Sequence, residues 1–464
     1  MRFVSRCFSC AKYQISVAFI AGGVVYSSEY FYADNNVVSK SIGRNNNLKK
    51  NPEFRIVPVI ACLVTMLCVG IEYMWSVFQQ PVINFYGWPE SSVRMVSSAM
   101  IMMFVVGIFI GGLIIDKMGP RLVVMIAGIM FFAGLMLTSF LSADKPWLIY
   151  ITYGVLAGTG VGFAYSGAIN CVQKWLPHRR GFASGICVCA FGLSIVIFSP
   201  VAEYFLDIGV PFTFRTFAII LGAIVFVMSF FFKSPPEGYA SRLGVKEIQE
   251  KDAYSLIEAV RDPRFWFMCS ALFFLPASNM IIQPLVKTLA ALRDVPAGQA
   301  SRTVQLVGVA SALSRLILPT LSDKLSRSKI IFAMTIVTMV ASLLMTFAGG
   351  YLYSAMIFLI VFAYSGPAGI YPAMAGEAYG MKNMGSIFGL AFLSIGLSTF
   401  AFNWLSTLIN AEAAVTGDYT MIFIVGAAVN IIPFVCMLVY DRVGKKKAAQ
   451  RAAIRGGSAA GVEG

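Results

Sequence analysis

GGLIIDKMGPR at residues 111–121 and PTLSDKLSR at residues 319–327 are two versions of one pattern, and this pair decides the fold. Each stretch ends one apolar run and leads into the next, with an aspartate, a lysine and an arginine in the turn. The two aspartates, Asp116 and Asp323, are 207 residues apart. Related stretches at such a separation indicate a chain built from two similar halves.

Two further pairs of stretches repeat at nearly the same separation. NPEF at residues 51–54 and DPRF at residues 262–265 are 211 residues apart. WLPHRRGFASG at residues 175–185 and YGMKNMGSIFG at residues 379–389 are 204 residues apart, with glycines at matching positions. Three pairs in the same order favour duplication over chance, and the first pair sets the start of the repeat at residue 51.

The apolar runs between these motifs are long enough to cross a bilayer. Of the 464 residues, 58% are hydrophobic and 12% are charged, which excludes a soluble enzyme, a disordered chain and a coiled coil. A bilayer core of about 30 Å needs about 20 apolar residues per helix. The sequence therefore predicts an all-α membrane protein with twelve transmembrane helices in two halves of six. The predicted spans cover residues 56–78, 93–115, 122–141, 147–170, 182–206, 214–232, 265–285, 303–321, 330–348, 352–374, 386–409 and 419–440.

Lysine and arginine are concentrated in alternate connections between the spans. From Arg44 onward, the predicted inner segments carry 25 of them and the outer segments carry six. Because cytoplasmic loops collect basic residues, both termini are predicted to be cytoplasmic. The same bias accounts for most of the net charge of +14, so no nucleic-acid partner is predicted. The basic tail is predicted to be a solvated cytoplasmic end, and contact with lipid headgroups is the additional interpretation. The predicted location is the plasma membrane, with an organelle membrane as the alternative.

The pattern divides the chain into five parts. They are an N-terminal extension at residues 1–50, a six-helix bundle at 51–232, a cytoplasmic linker at 233–263, a second bundle at 264–440 and a cytoplasmic tail at 441–464. The extension contains a short apolar stretch, residues 15–26, which follows three basic residues. Since that stretch is too short to span a bilayer, it fits either a targeting segment or a disordered extension.

Residues 112–121 resemble the signature between the second and third helices of the major facilitator superfamily, and residues 319–327 resemble a degraded copy. Longer stretches resemble the oxalate–formate antiporter and monocarboxylate transporter branch of that superfamily. They are GIEYMWSVFQQPVINFYGWPE (70–90), KWLPHRRGFASGI (174–186), DPRFW (262–266), ALSRLILPTLSDKLSR (312–327) and PAMAGEAYGMKNMGSIFG (372–389). The resemblance implies a transporter of two bundles that exposes its substrate site to each side in turn.

The resemblance also implies a gate at the inner face. In the family, the acidic residue of this signature meets the positive end of a helix in the other half, which is the role expected of Asp116. Asp116 and Arg121 are further expected to form a charge cluster in their loop. The residues assigned to the inner gate are Asp116, Arg121, Asp323 and Arg327.

Arg315 lies near the middle of the eighth span. An arginine at that depth costs about 2.5–3.5 kcal/mol on insertion scales, so it needs a partner or a water-filled cavity. The resemblance implies that this arginine binds the carboxylate of the substrate, because a guanidinium matches a carboxylate with two hydrogen bonds. The alternatives are extension to the inner interface or pairing with Asp323.

Glu72 is the other buried charge, in the outer part of the first span. It could carry a proton or act as a counter-ion for Arg315 when the site is empty. It could instead face the outer vestibule or form a hydrogen bond to a neighbouring helix.

Several uncharged polar residues are further candidates for the substrate site. They are Tyr73, Tyr165, Asn279, Gln283 and Tyr371. Asn279 and Gln283 lie one helical turn apart, so one cavity could contact both. Tyr73 could instead belong to an aromatic belt at the membrane surface, and hydrogen bonds between helices are the alternative use of the others.

The predicted function is secondary transport of small organic anions. The oxalate exchangers carry a lysine in the eleventh helix, whereas residues 386–409 contain no lysine or arginine. One guanidinium suits one carboxylate, which favours lactate, pyruvate, formate or a similar monocarboxylate, moved with a proton or by anion exchange. Transport of an amino acid or another neutral nutrient, and signalling without transport, are the alternatives. No enzymatic site, cofactor or metal is predicted, and the expected state is a monomer with lipid, a carboxylate and protons as partners.

Overall fold

The computed structural model describes residues 56–245, 248, 252–286, 289–290, 295–416 and 419–460. The predicted N-terminal extension and the NPEF stretch lie outside the described residues. The predicted boundaries of the linker, the bundles and the tail stay predictions.

Twelve long helical segments and no strand are present in the described part of the chain. They are α1 (Ile56–Tyr86), α2 (Glu90–Met118), α3 (Pro120–Thr138), α4 (Tyr150–Trp175), α5 (Pro177–Ile208), α6 (Val210–Ser229), α7 (Pro263–Ile282), α8 (Ala297–Ser322), α9 (Arg327–Leu344), α10 (Gly350–Tyr379), α11 (Met384–Thr416) and α12 (Thr420–Lys446). The predicted all-α architecture is confirmed.

Eleven of these described helices are long and apolar enough to cross a membrane. In α8 only Leu306–Ser322 is strongly apolar, because the first turns of this helix contain glutamine, serine, arginine and threonine. Most of the helices extend beyond the predicted apolar runs, since a helix continues for a turn or more into the polar region outside the bilayer core.

Glycine and proline set the turn between α2 and α3. Gly119 has a φ of 83°, in the left-handed region where a residue with a Cβ is strained. Pro120 then begins α3, a position that suits proline because the first amide groups of a helix have no partner inside it. The Gly-Pro pair of the motif thus reverses the chain direction between two apolar helices.

Besides α12, which has a break at Asn430, three helices are interrupted near their middle. α1 contains a 3-10 turn over Gly70–Met74, α7 is broken before Ala277 at Pro276, and α10 is broken at Gly366 and Pro367. Proline removes an amide donor from the helix and its ring clashes with the preceding turn. These interruptions bend the backbone at the level where the candidate site lies.

Glycines bring the two halves into close contact at one end of the molecule, where α2 and α8 finish. We call it the gate end. There α2 packs on α11, and a Cβ added to Gly112 would overlap the carbonyl oxygen of Gly385. α5 packs on α8 in the same way, and a Cβ at Gly181 would overlap the carbonyl oxygen of Pro319. Small residues at helix interfaces permit this close approach of backbones. The two copies of the sequence repeat therefore form corresponding contacts, α2 with α11 and α8 with α5.

Candidate functional site

A cavity of about 250 Å³ lies between the helices of the two halves. Its wall combines residues of α1, α2, α4 and α5 with residues of α7, α8, α10 and α11. The three interrupted helices meet it at their breaks, which supply Tyr73, Pro276 and Pro367. Most of the lining is aliphatic or aromatic, with a few polar groups, which is the usual composition of a small-molecule site.

Arg315 of α8 is the basic residue in this lining. Its Cζ atom lies 5.3 Å from the centre of the Tyr73 ring on α1, and the hydroxyl groups of Tyr73, Tyr165 and Tyr364 interact with it electrostatically. In the described part of the chain it forms no ion pair, and its Nε atom has no hydrogen-bond acceptor. The guanidinium can therefore bind a carboxylate without breaking an existing salt bridge.

Gly192 of α5 makes room for that guanidinium. A Cβ added at this position would stand 2.5 Å from Nη1 of Arg315. A side chain from the second half therefore reaches the first half at a point where the opposing helix has only a hydrogen atom.

Glu72 is the acidic residue in the lining. It lies in the 3-10 turn of α1, is only 5% exposed, and neither carboxylate oxygen has a hydrogen-bond partner in the described structure. An ionised carboxylate without a partner is costly to bury. Its position therefore suits a group that holds a proton in this state and releases it when the surroundings change.

The structure brings five of the seven predicted substrate residues to one cavity, namely Arg315, Glu72, Tyr73, Tyr165 and Tyr371. Asn279 and Gln283 do not line it. Nδ2 of Asn279 donates to Oε1 of Gln283 over 2.8 Å, because residues one helical turn apart reach each other. One cavity was expected to contact both residues, whereas the structure shows a hydrogen bond between them.

Tyr364 is a lining residue that the sequence reasoning missed. It belongs to α10, directly before the Ser-Gly-Pro sequence at residues 365–367 that interrupts this helix. A tyrosine beside such a break in a predicted span is the signal that could have revealed it, since a broken helix often lines a site in transporters.

At the gate end, Asp323 connects α8 to α5. Its two carboxylate oxygens accept hydrogen bonds from the backbone amides of Gly181 and Phe182, each over 2.7 Å. These amides belong to the first turn of the α-helical part of α5, whose positive end favours an anion. We call this contact, with the side chains around it, the Asp323 latch.

The Asp323 latch contains a charge network in which Arg327, Asp323 and Arg180 are largely buried and Glu377 is half exposed. Nη2 of Arg327 is 3.1 Å from Oδ1 of Asp323, and Arg327 also forms two hydrogen bonds, 2.6 Å and 2.8 Å long, to the carboxylate of Glu377. Arg180, buried at the start of α5, interacts electrostatically with the same two carboxylates. Two positive and two negative side chains from both halves are thus combined in one contact. Arg315 is not part of it, which differs from the alternative in which Arg315 pairs with Asp323.

Asp116 makes the corresponding contact between α2 and α11, which we call the Asp116 latch. Its oxygens accept hydrogen bonds from the amides of Gly385 and Ser386, 3.0 Å and 2.8 Å long, in the first turn of α11. Lys174 interacts with it electrostatically. The expected contact with the positive end of a helix in the other half is therefore present in the geometry.

Arg121 does not join the Asp116 latch, although a charge cluster of Asp116 with Arg121 was expected. Its guanidinium is exposed and lies 5.3 Å from the centre of the Phe230 ring. The repeat explains the difference, because Gln173 stands 204 residues before Glu377 and carries no charge. Gln173 instead donates to Ser184 over 2.6 Å. Without a carboxylate at that position, Arg121 lacks the partner that holds Arg327.

The described residues include no group of three or more His, Cys, Asp or Glu side chains that could hold a metal ion. The seven cysteines among them are free thiols, mostly buried in the helices.

Comparison with known proteins places these features in context. A sequence model described as Major Facilitator Superfamily matches residues 60–403. The chain is 26% identical to an uncharacterized MFS-type transporter, YhjX, of Escherichia coli (strain K12), over 74% of this chain and 86% of that one. It is 26% identical to the oxalate:formate antiporter of Oxalobacter formigenes, over 74% and 82% of the two chains. It is 27% identical to monocarboxylate transporter 13 of Bos taurus, over 33% and 35%.

Solved structures show the same fold at low sequence identity. The transporter FucP in the outward conformation superposes with a TM-score of 0.63 at 14% identity, covering 83% of this chain and 99% of FucP. The proton:xylose symporter XylE superposes with a TM-score of 0.63 at 13% identity, covering 84% and 96%. At such identities the likeness concerns the fold alone.

Proposed function

The chain belongs to the major facilitator superfamily, and from this membership we propose that it is a secondary transporter of small organic anions with a single carboxylate group. It is an integral multi-pass membrane protein and a transporter rather than an enzyme. Monocarboxylates such as lactate, pyruvate or formate are the proposed substrate class.

The observation that carries this proposal is the position of Arg315. Its guanidinium is the positive group in the lining of a cavity between the two halves, and it has no ion-pair partner in the described part of the chain. Arginine binds a carboxylate through two parallel hydrogen bonds, and such charge-assisted bonds are about twice as strong as neutral ones. The names of two relatives, the oxalate:formate antiporter and monocarboxylate transporter 13, agree with an anionic substrate.

A single carboxylate is favoured because the described residues of the lining include a single cation, Arg315. α11, which forms part of the wall, has no lysine or arginine between Met384 and Thr416. The second carboxylate of a substrate such as oxalate would therefore enter an uncompensated, mostly apolar site at a high desolvation cost.

Glu72 is the proposed coupling group. A buried carboxyl group without hydrogen-bond partners is suited to carry a proton together with the anion. Proton symport is therefore the proposed mode of transport, and exchange of one anion for another is the alternative. Glu72→Gln keeps the size of the side chain and cannot ionise. We expect this variant to exchange anions across the membrane but to lose accumulation driven by a pH gradient.

The Asp116 and Asp323 latches are the proposed inner gate. Both hold the halves together at one end, so the cavity would open at that end only after both break. The excess of basic residues in the loops of this end supports a cytoplasmic position for it and for both termini. We propose the plasma membrane as the location.

Reconstituted liposomes test the proposal with labelled lactate, pyruvate and formate, with and without a pH gradient. Arg315→Leu should abolish carboxylate-dependent exchange, and Arg315→Lys should retain a small part of it, because lysine provides charge without the two-pronged geometry. Arg215→Leu is the matched control, since Arg215 lies outside the cavity, over the ring of Phe140 in the turn after α3.

Each alternative function has its own outcome in this assay. Unchanged transport by Arg315→Leu, with an uncharged solute as the better substrate, would establish the neutral-nutrient alternative. Specific binding of an acid without exchange in any direction would establish a sensor that does not transport.

A further inference from the structure

The cavity has more room and more aromatic surface than the smallest monocarboxylates need. An apolar cavity of about 150 Å³ holds one benzene molecule, which corresponds to about 25 Å³ per non-hydrogen atom. The cavity of about 250 Å³ therefore accommodates about ten non-hydrogen atoms. Formate has three such atoms, and pyruvate and lactate have six. A pyruvate held by Arg315 would leave a large part of the volume empty or filled with water against an apolar wall.

A connected cluster of aromatic rings forms another part of the wall, next to the polar groups around Arg315. Phe104 is the central member, and its ring centre lies 5.4 Å from Tyr165, 5.9 Å from Phe191 and 6.3 Å from Phe392. Tyr165 is also 5.6 Å from Phe191 and 5.9 Å from Phe392. The cluster therefore joins α2, α4 and α5 of the first half to α11 of the second.

Aromatic rings favour other rings and apolar groups at these separations, in edge-to-face or offset arrangements. Water against such a surface has few hydrogen-bond partners, so replacing it with an apolar group improves affinity. The guanidinium of Arg315 and the hydroxyl groups of Tyr73 and Tyr364 lie beside this cluster in the same lining. One part of the site thus suits a carboxylate and the other suits an apolar body.

We propose, on the basis of the proposed function, that the preferred substrate is a monocarboxylate of about nine to twelve non-hydrogen atoms in total, with a branched or aromatic body. Its carboxylate binds Arg315 and its body contacts the ring cluster around Phe104. Small acids such as formate and pyruvate bind the same guanidinium but leave the cluster unused. Acids larger than the cavity must displace the wall.

A graded series of acids tests this inference on the purified full-length protein, with affinity measured by titration calorimetry. The series is formate, pyruvate, 4-methyl-2-oxopentanoate, phenylacetate and indole-3-pyruvate. Each methylene group moved from water into an apolar site improves affinity by up to about fourfold. We therefore expect 4-methyl-2-oxopentanoate and phenylacetate to bind at least tenfold more tightly than pyruvate, and indole-3-pyruvate to bind more weakly than phenylacetate. Formate or pyruvate binding as tightly as phenylacetate would overturn the inference.

Phenylacetamide separates this inference from the proposed function, because it has the same size as phenylacetate and no charge. It should bind at least tenfold more weakly. Equal binding of the amide and the acid, or no binding of any acid, would contradict the carboxylate role of Arg315 and the inference that depends on it. Tight binding of small acids, together with weak binding of the amide, would contradict the inference alone.

A cavity-filling variant provides a second test. Ala368 of α10 lines the cavity, and Ala368→Leu adds three carbon atoms to its wall. The variant should lose more affinity for phenylacetate than for pyruvate, and the ratio of the two affinities should fall at least fivefold. Ala428→Leu, at an exposed position of α12, is the matched control. An unchanged ratio in Ala368→Leu would count against a body that fills this space.

Discussion

Neutralising one latch should open the gate end of the protein, and Asp323→Asn is the sharpest such change. The native carboxylate accepts two amide hydrogen bonds from the first turn of the helical part of α5, each 2.7 Å long. An asparagine can accept only one of them with its Oδ1 atom, because its amino group is a donor that opposes the second amide. The variant therefore loses one bond and weakens the other, with little change in volume.

The size of the effect follows from these contacts. A hydrogen bond to a charged group contributes about 1.5–3 kcal/mol, and an anion at a helix N-terminus gains roughly a further 0.3–1 kcal/mol. Loss of one bond and of most of the helix-end attraction therefore costs about 3 kcal/mol, which is roughly a hundredfold in an equilibrium constant. A protein that is about 99% closed at this end would become about half open. Asp116→Asn should have a smaller effect, because the Asp116 latch lacks the neighbouring network of two arginines and a glutamate.

Single-molecule fluorescence transfer in liposomes would measure this equilibrium. Met118 and Leu325 are exposed, lie at the gate end of different halves, and can carry donor and acceptor through non-natural amino acids. Asp144→Asn, in an exposed loop after α3, provides the matched control. We expect the long-distance population to increase in the order control, Asp116→Asn, Asp323→Asn. A distance distribution for Asp323→Asn that matches the control would refute the reasoning.

Two further predictions concern the arginine positions. Gly192→Ala should displace the guanidinium of Arg315 and weaken carboxylate binding about tenfold, which corresponds to the loss of one charge-assisted hydrogen bond. The amount of folded protein should not change. An unchanged affinity in titration calorimetry would contradict this prediction. Arg327→Met should lower the free energy of unfolding by about 2 kcal/mol, because it removes the ion pairs with Asp323 and Glu377 and the hydrogen bond to Ser322, while Arg121→Met should cost less than about 1 kcal/mol. Thermal unfolding in detergent would measure both, and equal losses would show that the two arginines have equivalent roles.

The fold could be predicted from the sequence, with each helix end within eight residues of the observed one. Bilayer thickness sets the length of an apolar run, so each predicted span overlaps one observed helix. The hydrophobic signal was weakest for α8, because its first turns are polar and only Leu306–Ser322 is strongly apolar. The length of the apolar run nevertheless placed a span there, at residues 303–321.

The charged residues of the candidate site were the easiest to predict, whereas the uncharged candidates were divided between three tyrosines that line the cavity and two residues that do not. Arg315 and Glu72 attracted notice because an ionisable residue within a span is expensive and needs a reason. Uncharged residues carry no such signal, which explains why Asn279 was assigned to the cavity and Tyr364 was missed. Whether an uncharged polar side chain bonds within its own helix or lines the cavity depends on how the helix is rotated about its axis. Sequence periodicity does not specify that rotation.

The sequence by itself determined that this chain is a duplicated, twelve-helix membrane protein with basic loops on one side. Those properties follow from hydrophobic length and from the distribution of charge, both of which are counted along the chain. Only the tertiary structure decided that Arg315 stands against Gly192 of the opposite half, beside a cluster of rings from four helices. It alone also decided that Arg327 is paired while Arg121 is not. These facts depend on which faces of distant helices meet, and that is settled by the packing of the two halves against each other.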